Sequence, residues 1–178
     1  MKNLRIIAAA RNNEELLFAA KSNVEIIFML APNIASLKEQ ADLVHKAGKK
    51  LFIHIDLAEG IGKDECGILF AKQQGADGII STRTNIIKLA KKTGMFTVQR
   101  FFIVDSHSID TTIEALKSSK PDMIEIMPGI ISKVIKRLKK ELDMPIVAGG
   151  LIETYEEINE AISCGAKAIS IGKREFWG

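Results

Sequence analysis

The sequence has few cysteines and no long apolar run. Its two cysteines, Cys66 and Cys164, lie in separate helix-like segments without metal-ligand spacing. A disulfide framework, a zinc site or any other metal site is therefore not expected. No segment reaches the roughly 18 apolar residues of a membrane-spanning helix, and the apolar run near the amino terminus is too short for a signal peptide. These absences favour a cytoplasmic protein without a membrane partner.

The sequence also lacks a strong excess of either charge. It contains 25 Lys and Arg against 22 Asp and Glu, a formal net charge of +3. Such a mild excess does not by itself indicate a nucleic-acid partner. The length of 178 residues predicts one domain over residues 1–178. It is short for an eight-fold barrel, which typically has about 250 residues.

Apolar, β-branched runs alternate regularly with amphipathic stretches. The runs read as continuously apolar, which is typical of parallel strands buried on both faces. Each amphipathic stretch has the spacing of a helix that packs on one face. The predicted strands are residues 5–10, 24–30, 51–57, 78–83, 96–105, 123–127, 145–148 and 166–171.

Helix boundaries are indicated by capping residues. Asn33 is a candidate N-cap, and Thr154 with Glu157 forms a capping-box pattern. Glycines that end the helical patterns have the position of left-handed C-terminal caps, namely Gly48, Gly75, Gly94 and Gly165. The predicted helices are residues 33–47, 65–74, 85–92, 109–119, 130–142 and 154–164.

Strand–helix units repeated without a linker predict an α/β fold, a single-domain (β/α)8 TIM-type barrel. An open doubly wound sheet is the alternative. Only six residues follow Gly172, so the last helix is predicted to be shortened or missing. Phe176 and Trp177 are placed to fill part of that gap. An uncovered flank would leave an apolar patch, from which we hypothesise a homo-oligomer.

Charged and polar residues interrupt the apolar strands near their carboxyl ends, the end where barrels carry their sites. They are His54, Asp56, Arg83, Arg100 and Glu125. His54 and Asp56 are two positions apart in the predicted third strand, so we expect their side chains to point to the same side. Because an unpaired buried charge is costly, we expect Arg100 to pair with Glu125 and Arg83 with Asp56. The pattern fits a ligand-binding wall, and it fits equally well an internal salt-bridge network that closes the barrel. For His54, a hydrogen-bonded core histidine is the commoner situation.

Glycines follow the seventh and eighth strands, where barrels often bind phosphate. The candidates are Gly149 and Gly150 after strand seven, and Gly172 with Lys173 after strand eight. Without a Cβ, backbone N–H groups can approach phosphate oxygens closely. Gly129, after strand six, is a further candidate donor. Ordinary turn glycines are the alternative.

One helix carries a basic stripe that is a candidate RNA-binding surface. Its members are Lys133, Lys136, Arg137 and Lys140. A polyanion would be attracted to such a stripe. Cations that complement the helix macrodipole on a solvated face are the favoured interpretation from sequence alone.

Several segments together resemble the glycerol-3-phosphate-responsive antiterminator family. They are residues 54–57 with 59–60, then 77–83, 99–106, 124–130, 145–154 and 176–177. The resemblance implies a barrel that binds glycerol 3-phosphate as its effector and then binds leader mRNA, with no catalysis and no cofactor. Glu59, where an Asn-like residue is expected, and Gly172, where relatives can carry a bulkier polar residue, depart from the family pattern.

A small barrel enzyme acting on a phosphorylated metabolite is the alternative function. A Schiff-base aldolase needs a lysine that projects into the lumen, and neither candidate fits. Lys50 lies at the start of its strand, the wrong end, and Lys173 lies in the predicted phosphate loop. A metal-dependent phosphodiesterase would need Asp56, Glu59 and Asp105 to hold one Mg²⁺ ion, and no compact ligand motif is present. An isomerase with Glu125 as base and His54 as electrophile stays open.

Overall fold

The structure is a computed structural model that describes residues 6–178. It contains eight strands that close into a barrel in the order of the sequence. All neighbouring strands are parallel, and β1 pairs with β8 through Ile7↔Ser170. This closure excludes the open sheet and confirms the TIM-type barrel. The strands are β1 (Ile6–Ala10), β2 (Ile26–Met29), β3 (Lys50–His54), β4 (Gly78–Ser81), β5 (Phe96–Phe102), β6 (Met123–Met127), β7 (Ile146–Gly149) and β8 (Ala168–Ile171).

Each predicted strand is present, although several are shorter than predicted. The third ends at His54, where a 3-10 turn over Ile55–Leu57 begins. The fourth ends at Ser81, so Asp56 and Arg83 lie in loops beyond their strands. The start of the first predicted strand, Arg5, lies outside the described residues.

Seven α-helices surround the barrel. The first was not predicted, and Asn12 caps it by accepting from the backbone N–H of Glu15 at 2.9 Å. The second begins at Leu37, not at Asn33, because the Asn33 side chain turns onto the N–H of Ala35 and onto Glu59. The helices are α1 (Asn13–Lys21), α2 (Leu37–Lys46), α3 (Glu65–Gln73), α4 (Thr84–Lys92), α5 (Ser106–Ser119), α6 (Ser132–Glu141) and α7 (Tyr155–Ser163).

Apart from Asn33, the predicted cap signals at the helix ends are confirmed. A capping box opens α7: the Thr154 side chain accepts from the backbone N–H of Glu157, and the Glu157 side chain accepts from the backbone N–H of Thr154. All the predicted terminal glycines have positive φ. Helix α5 differs, because Lys120 occupies the left-handed position with φ +47°.

Two apolar layers hold the fold together, one between strands and helices and one inside the barrel. The inner layer fills the lumen, so the barrel is a packed core and not a pore. Burying each such side chain contributes roughly 1.5–3 kcal/mol. The lumen layer consists of Ile7, Phe28, Phe52, Ile80, Val98, Val147 and Ala168.

The chain ends in a 3-10 turn, Arg174–Phe176, in place of an eighth helix. Trp177 is 1% exposed and donates from its indole Nε1 to the carbonyl oxygen of Ile171 at 2.8 Å. The predicted shortened last helix and its aromatic filling are therefore confirmed. Phe18 and Tyr155 stay exposed beside this turn. Among residues 6–178, no helix combines the length and apolarity needed to cross a membrane.

Candidate ligand-binding site

The upper layer of the lumen is polar. In a strand, residues two apart face the same side, so the residues two positions after the apolar lumen layer also point inward. They lie at the carboxyl ends of the strands, directly below the loops of the barrel mouth. From β3 to β8 these inward-facing residues include His54, Arg100, Gly149 and Ser170, and Glu125 of β6 is the direct strand partner of Arg100. On β1 and β2 the same positions are the apolar Ala9 and Leu30.

Arg100 and Glu125 form a buried ion pair. They are direct partners across β5 and β6, and the Nε of Arg100 donates to Oε2 of Glu125 at 2.7 Å. Their side chains are 7% and 1% exposed. The predicted pairing is confirmed. The Nη groups of Arg100 donate to no acceptor within the described residues.

Two buried polar atoms beside this pair lack partners. Within residues 6–178, neither Oε1 of Glu125 nor Nδ1 of His54 makes a hydrogen bond. Such groups are costly when they stay unpaired, and in native proteins they often mark a functional site. Burial, with a smaller contribution from the positive charge of Arg100, lowers the pKa of His54 to about 4. The imidazole is therefore neutral at pH 7 and offers one donor and one acceptor.

Asp56 does not share the lumen with His54. Its carboxylate accepts from the Ser81 hydroxyl at 2.7 Å and from the Thr82 backbone N–H at 2.7 Å. Burial by itself would raise the pKa of Asp56, but these hydrogen bonds outweigh burial and lower it. The expectation of a shared side was wrong because β3 ends at His54. Arg83 is half-exposed at the rim, with Nε 3.9 Å from Asp56, so the predicted pair exists but is loose.

The loop after β7 has the predicted close approach. A Cβ on Gly149 would lie 2.7 Å from Oε1 of Glu125, so only glycine leaves room for that carboxylate. Gly150 and Leu151 both have positive φ, of 74° and 60°. Neither donates its N–H to a backbone acceptor within the described part of the chain. This loop therefore presents backbone donors at the mouth.

Gly129 has a different role from the predicted one. Its N–H donates to the carbonyl oxygens of Gly149 at 2.6 Å and Gly150 at 3.0 Å. A Cβ there would meet the backbone N of Gly149 at 2.8 Å. Because its only backbone donor is already used, Gly129 holds the β7 loop in place and has no N–H to offer to a phosphate.

Gly172 and Lys173 lie after β8, next to an arginine that the sequence analysis missed. The Gly172 N–H has no backbone acceptor among residues 6–178. Nη2 of Arg11 lies 3.5 Å from the position of a Cβ on Gly172. Lys173 lies 3.8 Å from Glu153 and stays half-exposed. Arg11 directly follows β1, and its position at a strand end was the signal that could have found it.

The basic stripe on α6 is only partly available. Lys133, Lys136 and Lys140 are exposed. Arg137 instead pairs with Glu141 and Asp110, and the hydrogen bond that it donates to Glu141 is the main reason that its pKa is raised. Within the described range, no group of three His, Cys, Asp or Glu residues is arranged to hold a metal ion.

The fold is a TIM-type barrel, and the carboxyl ends of its strands carry a polar, partly unsatisfied cluster that is a candidate ligand site. The sequence pattern of the family described as "Glycerol-3-phosphate responsive antiterminator" matches residues 6–177. The chain belongs to this family.

Relatives in sequence and structure agree with the family. An uncharacterised protein of Escherichia coli K12, YgcP, is 38% identical over 97% of this chain and 91% of its own length. The crystal structure of a glycerol uptake operon antiterminator regulatory protein from Listeria monocytogenes has a TM-score of 0.93 at 35% identity, covering 99% of this chain and 96% of its own. An antiterminator-related protein from Thermotoga maritima has a TM-score of 0.88 at 33% identity, covering 98% of both chains.

More distant structures share the fold alone. A deoxyribose phosphate aldolase from Aeropyrum pernix has a TM-score of 0.73 at 16% identity, covering 98% of this chain and 87% of its own. At that identity the likeness carries no information on chemistry, because this barrel supports many unrelated activities.

Proposed function

We propose that this protein is a cytoplasmic sensor of glycerol 3-phosphate that, with the effector bound, binds leader mRNA of glycerol-metabolism operons and prevents transcription termination. The observation that carries the proposal is the polar upper layer of the lumen, where Arg100 and Glu125 keep unused hydrogen-bonding capacity next to loops with unused N–H groups. Membership of the antiterminator family supports the choice of effector and of RNA.

In this proposal the phosphate of the effector lies over the loops after β7 and β8. There the N–H groups of Gly150 and Gly172 would meet phosphate oxygens, while Lys173 and Arg11 supply positive charge. The combination of backbone donors and cations is what a dianionic group requires.

The glycerol end would then point into the lumen. Oε1 of Glu125 is an unused acceptor for a hydroxyl, and the Nη groups of Arg100 are unused donors. The neutral imidazole of His54 can accept from or donate to a second hydroxyl. Each of these groups would gain the partner that it lacks in the protein alone, which is the energetic basis of the proposed specificity.

An isomerase acting on a phosphorylated metabolite is the second candidate. It is favoured by the same pair of residues, since Glu125 has an unpartnered oxygen and His54 is neutral, as a base and an electrophile would be. Against it, Glu125 is engaged in a buried ion pair with Arg100, and giving up that pair would leave the guanidinium buried and uncompensated. We therefore infer a regulator without catalysis and without a cofactor.

Titration calorimetry with glycerol 3-phosphate, followed by phosphorus NMR over a long incubation, separates the two candidates. Saturable binding with no new phosphorus resonance is the expected result. Appearance of a product resonance would favour the enzyme, and an absence of binding heat would overturn the effector.

A glycine substitution tests where the phosphate lies. Gly172 has space for a Cβ, since its nearest neighbour would be 3.5 Å away, and its φ is not positive. Gly172→Ala adds only that Cβ, so it is expected to leave the fold intact and to weaken binding by crowding the phosphate against the N–H groups. Gly178→Ala is the matched control, because a Cβ there meets nothing within 4 Å. Unchanged affinity of the Gly172 variant would refute this placement.

A further inference from the structure

The two ends of the barrel differ in charge. In this fold all helices run in one direction, so their carboxyl ends meet at the face where the strands begin, opposite the ligand mouth. We name this face the base. Each helix from α1 to α6 carries a basic residue in its last turn. The exposed lysines of the base include Lys21, Lys46, Lys72, Lys92, Lys120, Lys140 and Lys167, whereas Lys117 is paired with Glu114.

The mouth carries the opposite charge. Helices α1, α3 and α7 have acidic first turns, with Glu14, Glu65 and Glu156 at that end. Further exposed carboxylates lie in the mouth loops, among them Asp105 and Glu153. A nucleic-acid backbone is therefore repelled from most of the mouth rim and attracted to the base.

Helix macrodipoles account for part of this distribution, but not for all of it. A cation in the last turn of a helix is stabilised wherever that helix lies. Lys167, in contrast, lies in the loop between α7 and β8, and α7 has no basic residue in its last turn. Lys120 lies beyond the end of α5, in a position that favours glycine.

Lys120 is the strongest indication that the positive charge of the base has a function. At Gly48, Gly75, Gly94 and Gly165 a glycine occupies the positive-φ position that follows a helix. After α5 the position is held by Lys120, with φ +47° and ψ +57°. A side chain in the left-handed region is strained, and such strain tends to persist where function requires the residue. Here the retained side chain adds an exposed cation to the base.

We propose that the base, and not the outer face of α6, is the surface that contacts the phosphate backbone of RNA. This inference rests on the proposed function, whose RNA partner it locates. On the outer face of α6, Lys133 and Lys136 flank Arg137, whose charge is already compensated by Asp110 and Glu141. Lysines act as point charges on phosphates, so this contact is independent of RNA sequence. Effector and RNA then bind at opposite ends of the barrel.

Two charge-reversal variants with equal charge change test the location. The base variant combines Lys92→Glu, Lys120→Glu and Lys167→Glu, and the control combines Lys88→Glu, Lys133→Glu and Lys136→Glu on the barrel flank. All six lysines are exposed. Binding of fluorescein-labelled poly(U) RNA is measured by anisotropy over a salt series with saturating glycerol 3-phosphate.

The base variant is expected to bind at least about tenfold more weakly, with a salt slope lower by about 2, near 0.7 for each lost contact to single-stranded RNA. The control is expected to lose about threefold or less through long-range charge. If the control variant lost as much RNA affinity as the base variant, or more, the base would not be the RNA-binding surface, although RNA would still be the partner. A wild-type protein that binds glycerol 3-phosphate but no RNA would overturn both the location and the RNA partner, yet not the effector.

Lys120→Gly gives an independent result that cannot be attributed to misfolding. Glycine relieves the left-handed strain, so the Tm is expected to stay the same or rise, while RNA affinity falls about threefold. Unchanged affinity would contradict a role for Lys120. Vesicles of phosphatidylglycerol serve as a competing polyanion, and preferential binding to them through the same lysines would overturn RNA as the occupant.

Discussion

Arg100 donates to Glu125 across β5 and β6 at 2.7 Å, inside the barrel, while the second oxygen of Glu125 stays without a partner. The pair is both a structural element and the inner wall of the proposed site. Removing one member would leave the other charge buried and uncompensated, which costs more than the pair contributes.

Arg100→Met is therefore expected to lower the free energy of unfolding by about 3–5 kcal/mol. The double variant Arg100→Met, Glu125→Leu removes both charges and is expected to recover most of that loss, yet to bind no glycerol 3-phosphate. Urea unfolding measures the first effect and calorimetry the second. Lys117→Met, which breaks an exposed pair with Glu114, is the control and should cost no more than about 1 kcal/mol. A single variant as stable as the wild type would show that the pair does not stabilise the barrel as described.

His54 is expected to make the protein acid-sensitive. Its pKa falls from 6.5 to about 4 on folding, so between these values the unfolded chain binds a proton that the folded chain does not. Stability is then fully present above pH 6.5 and is lost as the pH falls toward 4, by on the order of 3 kcal/mol. Urea unfolding of wild type and His54→Asn at pH 7.0 and 5.0 measures the difference.

The asparagine variant should show a flatter dependence of stability on pH over this range. His107→Asn, at an exposed position, controls for the loss of a histidine in general. Equal pH dependence in wild type and His54→Asn would mean that His54 is not buried in its neutral form.

Arg11 is predicted to hold the phosphate of the effector. A charge-assisted hydrogen bond contributes about 1.5–3 kcal/mol, so Arg11→Ala should raise the Kd for glycerol 3-phosphate by roughly tenfold to a hundredfold. Arg174→Ala is the matched control, because Arg174 pairs with Glu14 and is not placed at the phosphate. Calorimetry at constant ionic strength gives both values, and equal affinities of the two variants would remove Arg11 from the site.

The barrel was predictable because buried parallel strands are apolar along their whole length, which leaves little ambiguity in a regular alternation. Helix α1 was missed for the opposite reason. Its apolar residues are bunched at positions 16–20, so the amphipathic spacing that identifies the other helices is weak there. Arg11 directly follows the first predicted strand, so its position at a strand end could be read from the sequence without recognising α1.

The pairing of Arg100 with Glu125 was predictable from the sequence, because an unpaired buried charge is costly whatever the exact ends of the strands. The position of Asp56 did not follow, because the third strand ends at His54, three residues before its predicted end at Leu57. Gly129 shows a third limit. Its pattern matches a phosphate loop, and only the path of the β7 loop decides that its N–H is already used.

The flank without an eighth helix predicts self-association. Phe18 and Tyr155 are exposed beside the terminal turn, where Phe18 lies 6.0 Å from Trp177 and Tyr155 lies 4.7 Å from Phe176 between ring centroids. Apolar surface of this kind is commonly covered by a partner, so light scattering at micromolar concentration is expected to give a mass above that of the 19.6 kDa chain. Tyr155→Glu should reduce it to the monomer mass, since it places a charge in the contact. Leu69→Glu, at a similarly exposed position on α3, is the control and should leave the mass unchanged. A monomer mass for the wild type would refute self-association, and loss of association in the Leu69 variant would place the contact elsewhere.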